Sequence, residues 1–233
     1  MKYGVVVLGI LGFVGVSGAA LAQEAVTDAN AGQATAEGPG GTPRARVGFQ
    51  MAMRTGYSIP MGKVAEGVDM SNFFSGQVPI IVDIGGKVIP ELFIGGYFGL
   101  GFGATAGDLK RDCDDANASC FTLGIHLGVE AQYHILPAGS VNPWIGYGLG
   151  IESVGYSATI GNTTQHESLS GFEFARFSGG VDFRVSRTFG VGPFIDFSMG
   201  KYSSANNGDT SVDIPNTAAH QWLTLGARFV IFP

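Results

Sequence analysis

The chain of 233 residues carries 38 Gly and 17 Phe but only 14% charged side chains. It is too apolar to remain disordered and too rich in glycine for an ordinary soluble domain. Acidic residues outnumber basic ones by 19 to 13, a formal net charge of −6 at pH 7, which excludes nucleic acid as a partner because phosphate recognition needs a basic footprint.

The first residues are Met1 and Lys2, followed by an apolar run from about Tyr3 to Val16 and then small residues ending in Ala20-Leu21-Ala22. This is the pattern of a secretory signal peptide, residues 1–22, with cleavage after Ala22. The run is shorter than the roughly 20 apolar residues that a membrane-spanning helix needs. Residues 23–44 are rich in Ala, Gly, Thr and Glu, contain Pro39 and Pro43 and show no periodicity, so they are expected to form a flexible periplasmic tail. Residues 45–233 hold no helix-length apolar run. A membrane chain of that kind satisfies its backbone only by closing strands into a barrel.

From Ala45 a period of two begins, the signature of a strand. The first expected strand sets Val47, Phe49, Met51, Met53 and Tyr57 against Arg46, Gly48, Gln50, Ala52 and Arg54. A long loop is expected over Ile59 to Gln77. The second strand puts Val78, Ile80, Val82 and Ile84 opposite Ile81 and Asp83 and turns tightly around Lys87 to Pro90. The third carries Leu92, Ile94, Phe98, Leu100 and Phe102 outward, with Glu91, Phe93, Gly95, Tyr97, Gly99 and Gly101 inward. After a loop with both cysteines comes the clearest alternation, Phe121 to Ile135: one face is apolar throughout, and the other is Thr122, Gly124, His126, Gly128, Glu130, Gln132 and His134.

A short turn over Leu136 to Asn142 leads to the fifth strand, with Ile145, Tyr147, Leu149 and Ile151 against Trp144, Gly146, Gly148, Gly150 and Glu152. Ala158 to Ser168 reads as a polar loop. The sixth strand sends Phe177, Val181, Phe183 and Val185 outward and Arg176, Ser178, Gly180, Asp182 and Arg184 inward. The seventh sets Val191, Ile195, Phe197 and Met199 against Gly192, Phe194, Asp196 and Ser198. A loop over Ser203 to Thr217 precedes the eighth, with Leu223, Leu225, Ala227, Phe229 and Ile231 outward and Trp222, Thr224, Gly226 and Arg228 inward. Connections that alternate long and short are those of an all-β, eight-stranded antiparallel up-and-down transmembrane β-barrel with both termini periplasmic.

Alternation alone does not say which face is inside. The polar faces are mostly glycine with charges of both signs, which suits the cramped interior of an eight-stranded barrel better than a water-facing wall. The inward set holds Arg46, Arg54, Arg176, Arg184 and Arg228 with Asp83, Glu91, Glu130, Glu152, Asp182 and Asp196. Such near balance points to mutual pairing, a salt-bridged core, in preference to an ion path. Arg176 and Arg228 are the expected partners of Glu130.

The phrases Phe93-Ile94-Gly95-Gly96-Tyr97-Phe98-Gly99, Asn142-Pro143-Trp144-Ile145-Gly146 and Val191-Gly192-Pro193-Phe194, set in this architecture, resemble the small eight-stranded outer-membrane barrels, the family of outer-membrane proteins A, X and W. Thr224, Gly226, Phe229 and Ile231 resemble the C-terminal signal read by the barrel assembly machinery, although Phe232 and Pro233 run past the usual terminal aromatic. The resemblance implies an outer-membrane location among lipid and lipopolysaccharide, a monomer, no cofactor and a structural or surface-interaction role. A narrow pore or binder for small hydrophobic solutes is the alternative.

Cys113 and Cys120 fall in one exported loop and are expected to form a disulfide; a metal pair is the weaker reading, with no His nearby. Asp108, Asp112, Asp114, Asp115 and Asn117 offer oxygens for calcium without the glycine and terminal Glu of an EF-hand, so a solvated acidic loop is preferred. Some barrels of this size modify lipid A with a His beside a Ser. His126 and His134 point inward, which leaves His166 and His220, and His166-Glu167-Ser168 lies in a loop, not on a lipid-facing strand, which makes a barrel enzyme the least favoured reading.

Overall fold

The computed structural model describes residues 46–207 and 210–233. The expected signal peptide and tail lie outside the described residues. Among the described residues ten strands are present, β1 Gly48–Ala65, β2 Val68–Asp69, β3 Phe74–Ile89, β4 Leu92–Thr105, β5 Ser119–His134, β6 Val141–Ile160, β7 Thr163–Arg184, β8 Phe189–Asn206, β9 Ser211–Asp213 and β10 Ala219–Ile231, with one α-helix, α1, at Gly107–Asp115. Neighbours in sequence pair antiparallel in the order β1, β3, β4, β5, β6, β7, β8, β10, and β10 pairs again with β1. Eight strands therefore close a ring, and β2 and β9 are short additions at its rim.

The ring follows from the alternation. In each strand the apolar set points out and stays exposed: Phe49, Val129 and Ile145 are 62%, 60% and 60% accessible. The other set points in and is buried, with Gln50, Ala52 and Arg54 of β1 and Gln132 and His134 of β5 as examples. Interior glycines leave room for the large side chains between them. A Cβ at Gly128, for example, would lie 2.4 Å from the Tyr97 hydroxyl.

At the end carrying the termini the connections are short. At the opposite end the strands run well past the expected boundaries: Ile59 to Gln77, read as a loop, supplies the end of β1, all of β2 and the start of β3. Likewise Ala158 to Ser168 is the tip of a β6–β7 hairpin, turned at Gly161, whose φ of 57° suits glycine at the head of a tight hairpin. The segment Met70–Asn72 forms one 3-10 turn that drops Met70, fully buried, into the mouth. There it packs with Val64, Phe74, Val154, Tyr202 and Trp222 as an apolar plug.

The acidic loop is a helix rather than a ring of oxygens. In α1, Asp114 accepts from Lys110 at 2.5 Å and Asp108 from Arg111, while Leu109 and Cys113 turn inward. A disulfide joins Cys113 to Cys120, tying the helix to the start of β5. Exposed pairs of this kind add little stability, so the disulfide holds the segment. Reduction is expected to leave the barrel's unfolding midpoint unchanged while exposing residues 107–118 to protease. Equal cleavage before and after reduction, or both thiols alkylated without it, would refute this.

Candidate functional site

The interior is a continuous ladder of charged and aromatic groups. At its centre Arg54, wholly buried, faces three strands: its Nη2 donates to Asp83 Oδ1 at 2.6 Å and to Glu130 Oε2 at 3.2 Å, and its Nη1 donates to Asp196 Oδ2 at 3.0 Å. Arg176 Nε donates to the same Asp196 oxygen at 2.9 Å, and its guanidinium lies 4.8 Å from the Tyr97 ring centroid. Toward the terminal end, Arg228 Nη1 donates to Asp182 Oδ2 at 3.3 Å and Nη2 to Gln132 Oε1 at 2.7 Å, over the Trp144 ring. Gln132 Nε2 donates in turn to Glu130 Oε1 at 2.7 Å, linking the two groups. Glu130 is thus held by Arg54 and Gln132, not by Arg176 or Arg228 as expected.

Toward the long-loop end, Glu173 Oε1 accepts from Tyr97 at 2.6 Å and from Arg176 Nη1 at 3.4 Å, and its Oε2 lies 3.1 Å from His126 Nδ1. Glu152 Oε1 accepts from Tyr202 and, at 3.0 Å, from Trp222 Nε1, with His220 Nε2 also 3.0 Å away. The His220 ring stacks on Tyr202. His220 is therefore an interior group and not a rim candidate. His166 stays on the exposed hairpin, where its Nδ1 is 2.7 Å from Ser157 Oγ, not from Ser168.

Three expected members stand apart from the ladder. Arg46 precedes β1 and is exposed, since the alternation at a strand's first residue lies beyond the rim that would cover it. Glu91 sits half-buried in the β3–β4 turn and forms no ion pair among the described residues. Arg184 is half-buried and donates to the Pro137 and Arg187 carbonyls at 2.7 and 3.3 Å. Its guanidinium lies 4.0 Å from the Phe232 ring centroid, and Lys87 Nζ lies 5.8 Å from the same centroid. Phe232, past the expected C-terminal pattern, closes the terminal end of the lumen with Ala52 and Val230.

Missed in the sequence were Glu173, Lys87 and His220. Strict alternation puts Glu173 and Arg176 on opposite faces. A β-bulge between Glu173 and Ala175 resets the phase so that both point inward. The trace of it is the outward Phe172, Phe174 and Phe177, whose spacing changes from two to three.

Paired charges fill the inside of a closed ring, and an apolar belt covers its outside; water suits neither arrangement, and hydrocarbon suits the belt. The chain is a membrane-spanning β-barrel. Barrels of the outer-membrane type have this wall, apolar outward and polar inward, with short connections at the terminal end and longer ones opposite. No family model and no curated protein matches the chain. Among solved structures, Neisserial surface protein A is similar, with 13% identity over 80% of this chain and 98% of that one, at a TM-score of 0.49. The outer membrane protein OprG from Pseudomonas aeruginosa has 10% identity over 79% and 96%, at a TM-score of 0.40. The attachment invasion locus protein of Yersinia pestis has 12% identity over 78% and 97%, at a TM-score of 0.39.

Proposed function

We propose that this is a non-enzymatic, monomeric outer-membrane barrel with a structural or surface-interaction role, exported with residues 1–22 as its signal and inserted by the assembly machinery through Thr224, Gly226, Phe229 and Ile231. Lipid and lipopolysaccharide are the surroundings of its belt. The observation that carries the reading is the closed lumen: Arg54 is wholly buried among three carboxylates, beneath a plug at one end and above Phe232 at the other. A side chain so held leaves no ion path, and pairing of this kind is costly to open. In planar bilayers the purified protein, its mature N-terminus at Gln23, is expected to give no unitary conductance steps. Steps that survive a change of detergent and preparation would replace this reading with a pore.

One feature favours a second reading. At the long-loop end a cavity of about 330 Å³ is lined by Val64, Phe73, Phe74, Val154, Leu169 and Val212, which suits a small hydrophobic solute. Displacement of an apolar fluorophore by medium-chain hydrocarbons, abolished by Val154→Trp, supports a binder; no displacement removes it.

A further inference from the structure

The long-loop half of the lumen has an excess of negative charge. Among the described residues four basic side chains are buried, Arg54, Lys87, Arg176 and Arg228, against six carboxylates, Asp83, Glu130, Glu152, Glu173, Asp182 and Asp196. Arg54 and Arg176 are engaged by Asp83, Glu130 and Asp196, and Arg228 by Asp182. Glu152 and Glu173 have no arginine or lysine of their own: their neighbours are His126 and His220, and only Arg176 Nη1, already engaged by Asp196, approaches Glu173, at 3.4 Å.

The two carboxylates divide their oxygens in the same way. Each Oε1 is held by donors: Tyr97 and Arg176 on Glu173; Tyr202 and Trp222, with His220 beside them, on Glu152. Each Oε2 is turned toward His126 Nδ1, at 3.1 Å from Glu173 and 3.9 Å from Glu152, and one ligating atom from each of the three residues lies within 4.8 Å of the others. Glu152 is 3% exposed, and its Oε2 has no hydrogen-bond partner in the protein. This is how ligating carboxylates are usually held: outer donors fix one oxygen and aim the other.

We propose that His126, Glu152 and Glu173 form a binding site for one divalent transition-metal ion of the zinc(II) class inside the barrel. Zinc takes imidazole nitrogen and carboxylate oxygen at about 2.0–2.2 Å, so two ligands of one ion sit about 3 to 4 Å apart, the range of the separations from His126. An ion of charge two balances the excess carboxylates, and an imidazole with carboxylates suits zinc better than calcium or magnesium. The test separates this site from a metal-free interior.

The untagged chain is refolded into detergent micelles with zinc(II) present, because a buried site fills as the ring closes, and is then desalted and its metal counted. The expected result is about one zinc per folded chain, with cobalt(II) in its place giving visible absorption bands of low coordination number. Folding is read from the different gel mobility of unheated and boiled samples. His126→Ala and Glu173→Gln are each expected to lower zinc affinity at least about tenfold, the lower end of what even outer-shell changes cost, while His166→Ala leaves it unchanged. Folded parent protein without zinc, or zinc held equally by His126→Ala, overturns the proposal. If neither ligand variant folds, the parent's cobalt spectrum decides: bands support the site, and their absence sinks it.

Discussion

Arg54→Ala is expected to cost the barrel about 3 to 5 kcal/mol, the usual loss when a buried pair is broken from one side. The substitution removes both donor nitrogens from Asp83, Glu130 and Asp196 at once. Arg176 still reaches Asp196, but Asp83 loses its only ion-pair partner among the described residues. Glu130→Gln should behave differently. It relieves an arginine shared by three carboxylates, and its amide oxygen can still accept from Gln132 while the contact with Arg54 is given up; the expected cost is about 1 kcal/mol, the scale of a single net hydrogen bond. Combining Arg54→Met with Asp83→Asn should recover part of the loss, because neighbouring members of one network are not additive. Urea unfolding in micelles checks all three variants. An Arg54→Ala midpoint equal to the parent's would mean that water already screens these groups and that the packed-core reading is wrong.

Gly226→Val is expected to stop the ring from closing. Gly226 of β10 lies opposite Gly56 of β1, at the seam where the last strand meets the first. A Cβ at Gly226 would stand 2.0 Å from the Thr55 carbonyl oxygen and 2.7 Å from the Gly56 Cα, and one at Gly56 would stand 2.1 Å from the Leu225 carbonyl oxygen. Backbone, not a movable side chain, occupies the space on both sides. Overpacking in a core typically costs about 1 to 3 kcal/mol, but here the strain falls on the pairing that removes the sheet's two edges. The readout is the yield of the species whose gel mobility changes on boiling. Leu225→Val, which faces outward, is the control and should fold at the parent's yield; equal yield from Gly226→Val would show that the seam can spread to admit a side chain.

Much of this was legible in the sequence, and the limits are physical. The alternation showed eight strands and placed Arg54, Asp83, Glu130, Glu152, Arg176, Asp182, Asp196 and Arg228 inside, because one face of each strand meets hydrocarbon and the other does not. Beyond the belt both faces of a strand meet water, so the pattern fades although pairing continues; hence Ile59 to Gln77 and Ala158 to Ser168 read as loops. His220 needed only the β10 alternation carried back two residues from Trp222. Glu173 was hidden by the bulge, which breaks the assumption of a fixed period. The partner of Glu130 was not legible at all. Which residues meet across a lumen depends on strand tilt and stagger, quantities set by the closed ring and absent from any single strand.

The wall of the barrel is uneven in height, and this decides what a large molecule touches first. β7 has 22 residues, about twice the 9 to 11 that cross a bilayer. Its outward aromatics begin at Phe172, so the part from Thr163 to Gly171 stands clear of the hydrocarbon. With a rise of about 3.3 Å per residue and a tilt near 40°, the tip at Gly161 is raised about 25 Å above the belt. The polar crest that carries Thr164, His166 and Glu167 is therefore the part that a large approaching molecule meets before the mouth and the apolar plug.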